Sequence, residues 1–513
     1  MNDHEATPVA RRTQVGFLIA LMVAGFFLRL DHAESRILDH DEAFSWRVAS
    51  RPFGTMVRQV AGDTHPLLHF LVLKVVLLCG ASAPLALRLP SIAIGVATIW
   101  AVYALSLAAI RFAGRWDGPP QKWAGWAGLA AAAYVTFHPF HIRVSNTARM
   151  YPFAAFFVAL SSWLLLVALR ANPPSRLRYA AYAASAALLL HSHNFGIFIV
   201  LAQFCFALGE ALWHRTTAIR LRGLAEAGTL ILLLYLPWLP SFLAQARRVH
   251  DGFWIPPLTW DTFGEILVKV VFGGDTVDRP IGVILACSVV AFLTWTAYRS
   301  GGARPWYLPI QVFTPWVLAT LISTMGGRPI LQDRYLILIC PVFAGWFAFS
   351  LANSKAALPR SALTLNLLLP TGLVLLTGIS QPPEIPLSTL EAISYLRDVH
   401  KPGDVVLVGQ PGIVNVLRYY QSRTPGRQLD VRYALDRDEL NRLGQFDHLS
   451  SFDDRECVDE DDSANLHAGR LWVVNNARHP KTDGWTRGES LTFGDSRGEF
   501  LLGVQIVCYS KSD

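Results

Sequence analysis

The sequence predicts an α-helical polytopic membrane protein with about eleven transmembrane helices, further juxtamembrane helices and a small C-terminal α/β domain. Three observations carry that prediction. The 513 residues are 52% apolar and 16% charged, against roughly 25% charge in soluble globular chains. Apolar runs long enough to cross a bilayer recur between residues 14 and 380. Beyond that point the pattern changes to short buried-strand runs, helical periodicity and clustered acidic residues. With a mean hydropathy of +0.33, the composition excludes a disordered chain, a collagen-like fibre and a single soluble domain.

A hydrocarbon core of about 30 Å takes about 20 helical residues. Runs that qualify, short and tilted ones included, lie near 14–30, 85–110, 124–138, 150–169, 179–190, 195–213, 224–240, 281–298, 306–325, 335–351 and 361–380. The first follows Arg11 and Arg12 and has no small-residue cleavage site after it, so it reads as a retained span and not a signal peptide. The stretch 66–80 is also apolar, but it is short, carries His69 and Lys74, and is joined to the next run by Ala81 to Ala83 alone. Charge bias decides its place. If it does not cross, the segments on the N-terminal side of the membrane hold 15 Lys/Arg against 3 Asp/Glu, and those on the other side hold 12 against 12. Counting it as a span inverts every later loop and opposes the positive-inside rule. It therefore reads as a helix in the outer interface, with the N-terminus cytoplasmic and the C-terminal domain outside.

These readings divide the chain into a membrane domain, 1–380, and a tail domain, 381–513. The tail holds 15 Lys/Arg and 21 Asp/Glu, while the rest of the chain is basic. The pI near 9.1 does not point to nucleic acid, because the basic residues sit in short loops between apolar runs. In the tail, Ser388 and Glu391 read as a capping box for the helix STLEAISYLRDVH. GDVVLVG, GRLWVVNN and EFLLGVQIVCY read as strands, with GIVNVLRYYQ as a helix between the first two. The acidic run 453–462 reads as a solvated loop. Cys79, Cys205, Cys287 and Cys340 lie in apolar runs and read as small buried hydrophobes. Cys457 and Cys508 are available to pair if the tail is exported.

Charges in or beside a membrane are costly and mark function. On this topology the unusual ones fall on the outer side. The first external segment carries Asp39, His40, Asp41, Glu42, Asp63 and His65. Later outer segments carry His138, His141, Arg143, Arg149 and Tyr151, then His191, His193 and Asn194, then Arg247, Arg248 and Trp254, and finally Arg328, Asp333 and Arg334. Such a set suits transfer of a sugar from a lipid phosphate. The phosphate is already a good leaving group, so no general acid is needed. The acceptor hydroxyl needs a base, which a carboxylate supplies. Charge developing on the departing phosphate needs fixed cations, and Arg binds phosphate in bidentate fashion.

Each residue also has a plainer role. Asp41 is the candidate base, with Glu42 and Asp39 as alternative carboxylates, but Asp at this position also caps helices. Asp63, His65 and His193 are candidate ligands for a divalent metal ion, against a hydrogen-bonded cluster or a helix cap. Arg149, Arg143, Arg247, Arg248 and Arg334 are candidate phosphate contacts. Against that, Arg149 can snorkel to head groups, Arg334 can pair with Asp333, and Arg247 and Arg248 can anchor a loop. Trp254 reads as interfacial packing.

The order DHDEAFSW, DTHPLLHFLVLK, ALRLPS, HPFHIRVSNTARMY, HSHNFG and LPWLP, over roughly residues 12–350, resembles the polytopic GT-C glycosyltransferases. Within them it is similar to the RgtA/B/C/D-like and protein-mannosyltransferase-like bacterial group, with the lipid A aminoarabinose transferase a more distant cousin. The resemblance implies a GT-C fold in the bacterial inner membrane. It implies a polyprenyl-phosphate-linked sugar donor, a cell-envelope acceptor (lipid, polysaccharide or protein), an active site facing the periplasm and no nucleotide-sugar. The family's acidic motif falls on Asp41 and Glu42, its Asp-x-His-Pro on Asp63, His65 and Pro66, and its Arg-Met-Tyr on Arg149, Met150 and Tyr151. Where relatives show Thr-His-Tyr this chain has Ser192, His193 and Asn194, and Leu67 replaces a second proline. The competing reading is a polytopic transporter or lipid flippase. It expects paired halves and broken helices near the midplane, whereas this chain has no internal repeat and its polar residues gather at one face.

Overall fold

The apolar runs become helices, and the prolines and short polar turns between them set where those helices end. The computed structural model describes residues 8–113, 121–213, 218–251, 255, 257–274, 279–325, 329–353, 388–408, 411–423, 429–435, 457–459, 468, 470–474, 485–494 and 503–511. The chain forms two compact units. One is Met1–Ala33 with Arg88–Gln381, and the other is Glu34–Leu87 with Pro382–Asp513.

The first unit is helical. It contains α1 (Pro8–Leu30), most of α5 (Pro84–Ala113), α6 (Gln121–Phe137), α7 (Pro139–Ser145), α8 (Tyr151–Arg170) and α9 (Arg176–Ser192). It continues with α10 (Gly196–Trp213), α11 (Ala218–Tyr235), α12 (Leu239–Asp251), α13 (Trp260–Phe272) and α14 (Arg279–Ser300). The last three are α15 (Tyr307–Met325), the single turn α16 (Asp333–Leu336) and α17 (Cys340–Asn353). Among the described residues, seven helices are long and apolar enough to cross a membrane, and an eighth if Ile219–Tyr235 and Leu239–Val249, bent by 73°, count as one. Pro237 stands at that bend, where a residue without an N–H interrupts the helical ladder. The predicted spans 124–138 and 179–190 are α6 and α9, each 17 residues long. The predicted span 361–380 lies outside the described residues.

Polar clamps hold this bundle where no water competes. Gln203 Nε2 donates to Ser161 Oγ, Ser162 Oγ and Gln311 Oε1, each at 3.0 Å, joining α10, α8 and α15. The wholly buried Arg29 at the end of α1 donates to the carbonyls of Val135 and Thr136 and to His141 Nδ1, the last at 2.9 Å. Gly95 makes room for this cluster, since a Cβ there would lie 2.5 Å from Ser145 Oγ. Arg88 Nη1 donates to Ala33 O at 2.7 Å and Asn146 Nδ2 to Asp31 O at 2.6 Å, so the chain leaves α1 at a defined point.

The second unit joins the first external segment to the tail. It holds α2 (His40–Ser50), α3 (Phe53–Gly62), α4 (Leu68–Leu78), α18 (Ser388–Val399) and α19 (Pro411–Arg423). Its six strands are β1 (Val405–Val408), β2 (Asp430–Leu435), β3 (Cys457–Asp459), β4 (Arg470–Val474), β5 (Trp485–Gly494) and β6 (Gly503–Lys511), in the order β3-β2-β1-β4-β6-β5. The first four are parallel, while β6 runs antiparallel to β4 and β5 antiparallel to β6. All four β1 residues are buried, as a central parallel strand of unbroken Val and Leu requires. Val406, Val408, Leu396, Leu417 and Trp472 fill one face of the sheet, and Val405, Leu407, Leu471 and Val507 the other. α4, the apolar stretch read as interfacial, has 11 residues and is about 16 Å long, too short for a hydrocarbon core of about 30 Å.

The first external segment packs on α19. Ile37 and Ala43 bury against Val416. The Leu38 amide donates to Tyr420 Oη at 3.0 Å, and Tyr419 Oη donates to Ser82 O at 2.8 Å.

Three expectations for the tail and the cysteines are corrected. The acidic run is not loop throughout, because Cys457–Asp459 pairs in parallel with Tyr433–Leu435. Its other residues lie outside the described set. Cys457 and Cys508 cannot pair. Three strands separate β3 from β6, which at the usual spacing puts their Cα atoms about 19 Å apart, far beyond disulfide reach. Cys79, Cys205 and Cys287 are exposed, and of the four cysteines in apolar runs only Cys340 is buried.

Candidate functional site

The candidate residues fall in both units. In the second unit they begin at the N-terminus of α2. Asp39 is the N-cap. Its Oδ1 accepts the Glu42 amide at 2.7 Å, and Glu42 Oε2 accepts the Asp39 amide at 3.1 Å, a reciprocal capping box. The helix dipole favours these carboxylates in the first turn, yet they crowd one another. Burial, then the charges of Glu42 and Asp41, push the Asp39 carboxyl up to about 6. The Glu42 side chain is fully buried, with Arg36 Nη2 3.9 Å from Oε1. The cap therefore belongs to Asp39 and not to Asp41. Asp41 sits at the second helical position with its carboxylate 30% exposed, and its Oδ1 lies 3.7 Å from His40 Nε2.

Further along the same unit, Asp63 closes α3, its amide donating to Val60 O at 3.2 Å. His65 Nδ1 lies 3.6 Å from Asp63 Oδ2 and 2.9 Å from Thr64 Oγ1. Lys74 Nζ on α4 donates to Arg51 O, tying α4 to the end of α2.

In the first unit, three distant stretches converge on His193. Arg149 is buried in the bend before α8, and Ser91 Oγ donates to its carbonyl at 3.1 Å. Tyr151 opens α8, with its ring 5.9 Å from the His193 ring. His193 ends α9 in extended conformation, and its Nδ1 accepts the Phe195 amide at 3.1 Å. Tyr335 of α16 lies 5.1 Å from His193 and 5.4 Å from Phe195, ring to ring. Burial, and then the Arg149 and Arg334 guanidiniums, hold His193 down at about 3, so the imidazole is neutral. The arrangement is an aromatic floor beside two fixed cations, which is chemistry suited to an oxyanion.

Arg334 is joined to Asp333 through its amide, which donates to Asp333 Oδ1 at 2.6 Å. Its Nε donates to Gln332 Oε1 at 2.8 Å and its guanidinium lies over Tyr335. Asp333 also takes Lys269 Nζ at 3.3 Å, and Lys269 bonds Glu265. Asn194 Nδ2 donates to Gln245 Oε1 at 3.3 Å on α12. Arg248, three residues on from the buried Gln245, shares its face and is half-buried, while Arg247 is exposed. Arg143 is exposed as well and lies over Phe140. So the structure groups Arg149, Tyr151 and Arg334 with His193 and turns Arg143 and Arg247 outward. Trp254 and Arg328 lie outside the described residues.

His138 and His141 belong to the Arg29 network. His138 Nε2 donates to Val270 O at 3.2 Å and its Nδ1 accepts the His141 amide. Burial, and then the Arg29 guanidinium, hold the His141 ring neutral. Both histidines are structural groups.

Among the described residues no group of three or more His, Cys, Asp or Glu side chains could hold a metal ion. The set expected at Asp63, His65 and His193 is not such a group. His193 Nδ1 is used by the turn it closes, and Asp63 and His65 remain as a pair.

Sequence reasoning missed Tyr335 and Gln245. Tyr335 follows Arg334 directly, so an aromatic beside a candidate cation was a usable signal. Gln245 had none, because its role depends on contact with Asn194, 51 residues away.

No protein-family model matches the chain, and no curated protein matches it in sequence. Solved structures do match in fold. ArnT from Cupriavidus metallidurans bound to undecaprenyl phosphate aligns with a TM-score of 0.59 at 12% identity, covering 96% of this chain and 98% of that one. The archaeal oligosaccharyltransferase AglB from Archaeoglobus fulgidus, in complex with an inhibitory peptide and a dolichol-phosphate, aligns with a TM-score of 0.54 at 12% identity, covering 91% and 70%. The arabinofuranosyltransferase AftD from Mycobacteria aligns with a TM-score of 0.51 at 15% identity, covering all of this chain and 42% of that one. The fold of this multi-pass membrane chain is thus of the GT-C type.

Proposed function

We propose that this protein is a membrane glycosyltransferase that moves a sugar from a polyprenyl-phosphate-linked donor to a cell-envelope acceptor on the periplasmic side. The observation that carries the reading is the cluster around His193, where Arg149 and Arg334 flank a neutral, aromatic-lined floor. In this proposal the two guanidiniums bind the donor phosphate and stabilise the charge it gains as the glycosidic bond breaks. Tyr151 and Tyr335 offer faces for the sugar or the first prenyl unit. Asp41 takes the acceptor hydroxyl proton. Glu42 and Asp39 are committed to the cap of α2 and set the position of Asp41. His65 orders the turn after Asp63, and of the adjacent Arg247 and Arg248 the half-buried Arg248 is the one assigned to phosphate. Undecaprenyl phosphate and dolichol-phosphate in the ArnT and AglB structures support a polyprenyl phosphate as the donor carrier.

In topology the proposal keeps residues 1–380 as the catalytic membrane domain, the N-terminus in the cytoplasm and the C-terminal domain in the periplasm of a bacterial inner membrane. The bent pair α11 and α12 is the feature a transporter or flippase would use. A transfer assay separates the two readings. Membranes carrying the wild-type chain should move labelled sugar from a polyprenyl-phosphate donor to envelope material, and Asp41→Asn should not. Mass spectrometry of envelope glycans from a deletion strain should show one glycoform missing. Unaltered glycans together with altered lipid translocation would support the transporter.

A further inference from the structure

The C-terminal half of α2 lines a second site. Within the unit formed by Glu34–Leu87 and Pro382–Asp513, an open cleft of about 570 Å³ lies between α2, α19 and the start of β2. Trp46, Arg47, Arg51 and Arg418 line it, with Ser50 and Asp430. Trp46, Arg47, Ser50 and Arg51 are spaced i, i+1, i+4 and i+5, which puts them on one helix face. At 100° per residue, Asp41 lies about 180° around the axis from Ser50. The cleft is therefore on the side of α2 away from the carboxylate proposed as base.

Its chemistry is specific. Three guanidiniums meet one carboxylate among the described lining residues, and that carboxylate is already engaged. Arg432 Nε and Nη2 donate to Asp430 Oδ1 and Oδ2 at 3.2 and 2.8 Å. Arg47 is buried, with Nη1 donating to Asn415 Oδ1 at 3.3 Å. Arg418 Nη2 donates to Val431 O at 2.9 Å. These bonds come from α19 and β2, so the tail orients both arginines. Trp46 is fixed edge-on to Tyr419 at 5.1 Å and adds an indole wall. Arginine forks suit phosphate oxygens, and an aromatic wall suits a sugar ring.

We propose that this cleft binds a phosphorylated saccharide head group, with the arginines on the phosphate and Trp46 against the ring. The site stands independently of the transfer reading, since no group in it is assigned to that reaction. Free sugar phosphates and lipid head groups present the same phosphate, and the test separates them.

The full-length protein is placed in phosphatidylcholine nanodiscs, and hydrogen exchange is followed in residues 44–52 and 416–423. Glucose 6-phosphate is expected to protect both segments. Glucose should protect neither, and inorganic phosphate should bind at least about tenfold more weakly. Arg51→Gln should weaken glucose 6-phosphate binding about tenfold, the scale of one charged hydrogen bond, whereas Arg397→Ala, an exposed side chain on α18, should not. If Arg51→Gln does not fold, Arg418→Lys tests the same point by keeping the charge and losing the fork. Equal binding of inorganic phosphate, or unchanged binding by the arginine variants, overturns the proposal. Protection in phosphatidylglycerol nanodiscs without sugar phosphate, lost in Arg51→Gln, reassigns the site to phospholipid and also overturns it. Absence of protection in every arm ends it.

Discussion

The first turn of α2 gathers three carboxylates, Asp39, Asp41 and Glu42, within four consecutive residues. The cluster around His193 gathers its guanidiniums from residues 149 and 334 and its aromatic rings from residues 151, 195 and 335. In the first case backbone geometry alone divides the labour. The cap takes Asp39, its reciprocal partner is Glu42, and Asp41 is left for other work. In the second, tertiary packing brings Arg149 and Arg334 beside His193 and leaves Arg143 and Arg247 exposed. Neighbours in sequence need not share a role, and residues nearly two hundred positions apart can.

That contrast makes graded predictions. Asp41→Asn should lower transfer about 10²–10⁴-fold, the usual scale for losing a general base, with normal expression. Transfer within about twofold of wild type would show that another carboxylate does the work. Arg149→Gln and Arg334→Gln should each lower kcat/KM for the donor about 10- to 100-fold, as loss of a charged hydrogen bond to phosphate does. Arg149→Lys should recover part of it, since the charge stays and the fork goes.

Glu42→Ala tests the other side of the division. It should cost about 1 kcal/mol of stability through the broken capping box and lower thermal stability more than it lowers the turnover of folded enzyme. A kcat loss as large as that of Asp41→Asn, at unchanged Tm, would make Glu42 the base.

Asp39→Asn should have a smaller effect with a defined sign. Because the folded carboxyl is pushed up to about 6, ionising it destabilises the fold. That penalty is absent below the usual carboxylate range and grows as pH rises towards 6. Asparagine also caps helices well. The variant should match wild type near pH 4 and melt about 2–4 °C higher above pH 6. Identical melting curves at both pH values would show that Asp39 is not strained. Arg143→Ala and Arg247→Ala should change transfer less than about twofold, the modest effect usual for exposed side chains. A tenfold loss in either would redraw the cluster.

Much of the fold is legible in local pattern. Apolar length marks ten of the eleven predicted runs, which fall on described helices. The unbroken VVLV run marks a buried parallel strand, and its buried residues 405–408 agree. β2 and β3 were missed because DVRYAL and CVD are short and mixed in polarity. Their identity as strands comes from pairing with β1 and with each other. Which arginines are exposed is hidden in the sequence for a similar reason. Arg247 and Arg248 are adjacent in sequence, and only the contact of Gln245 with Asn194 shows which face of α12 turns inward.

The amino-acid order by itself determined where the chain becomes helix in an apolar medium, that carboxylates cluster just after the first apolar run, and that the tail is an α/β unit. Each of these depends on residues within a few positions of one another, so backbone hydrogen bonding and burial periodicity suffice. Only the tertiary structure decided which arginines flank His193, that the 34–87 segment packs with the tail, and that α2 and α19 enclose a cleft lined by arginines. Those outcomes depend on side chains that chain connectivity holds apart and that packing alone brings within a few ångströms.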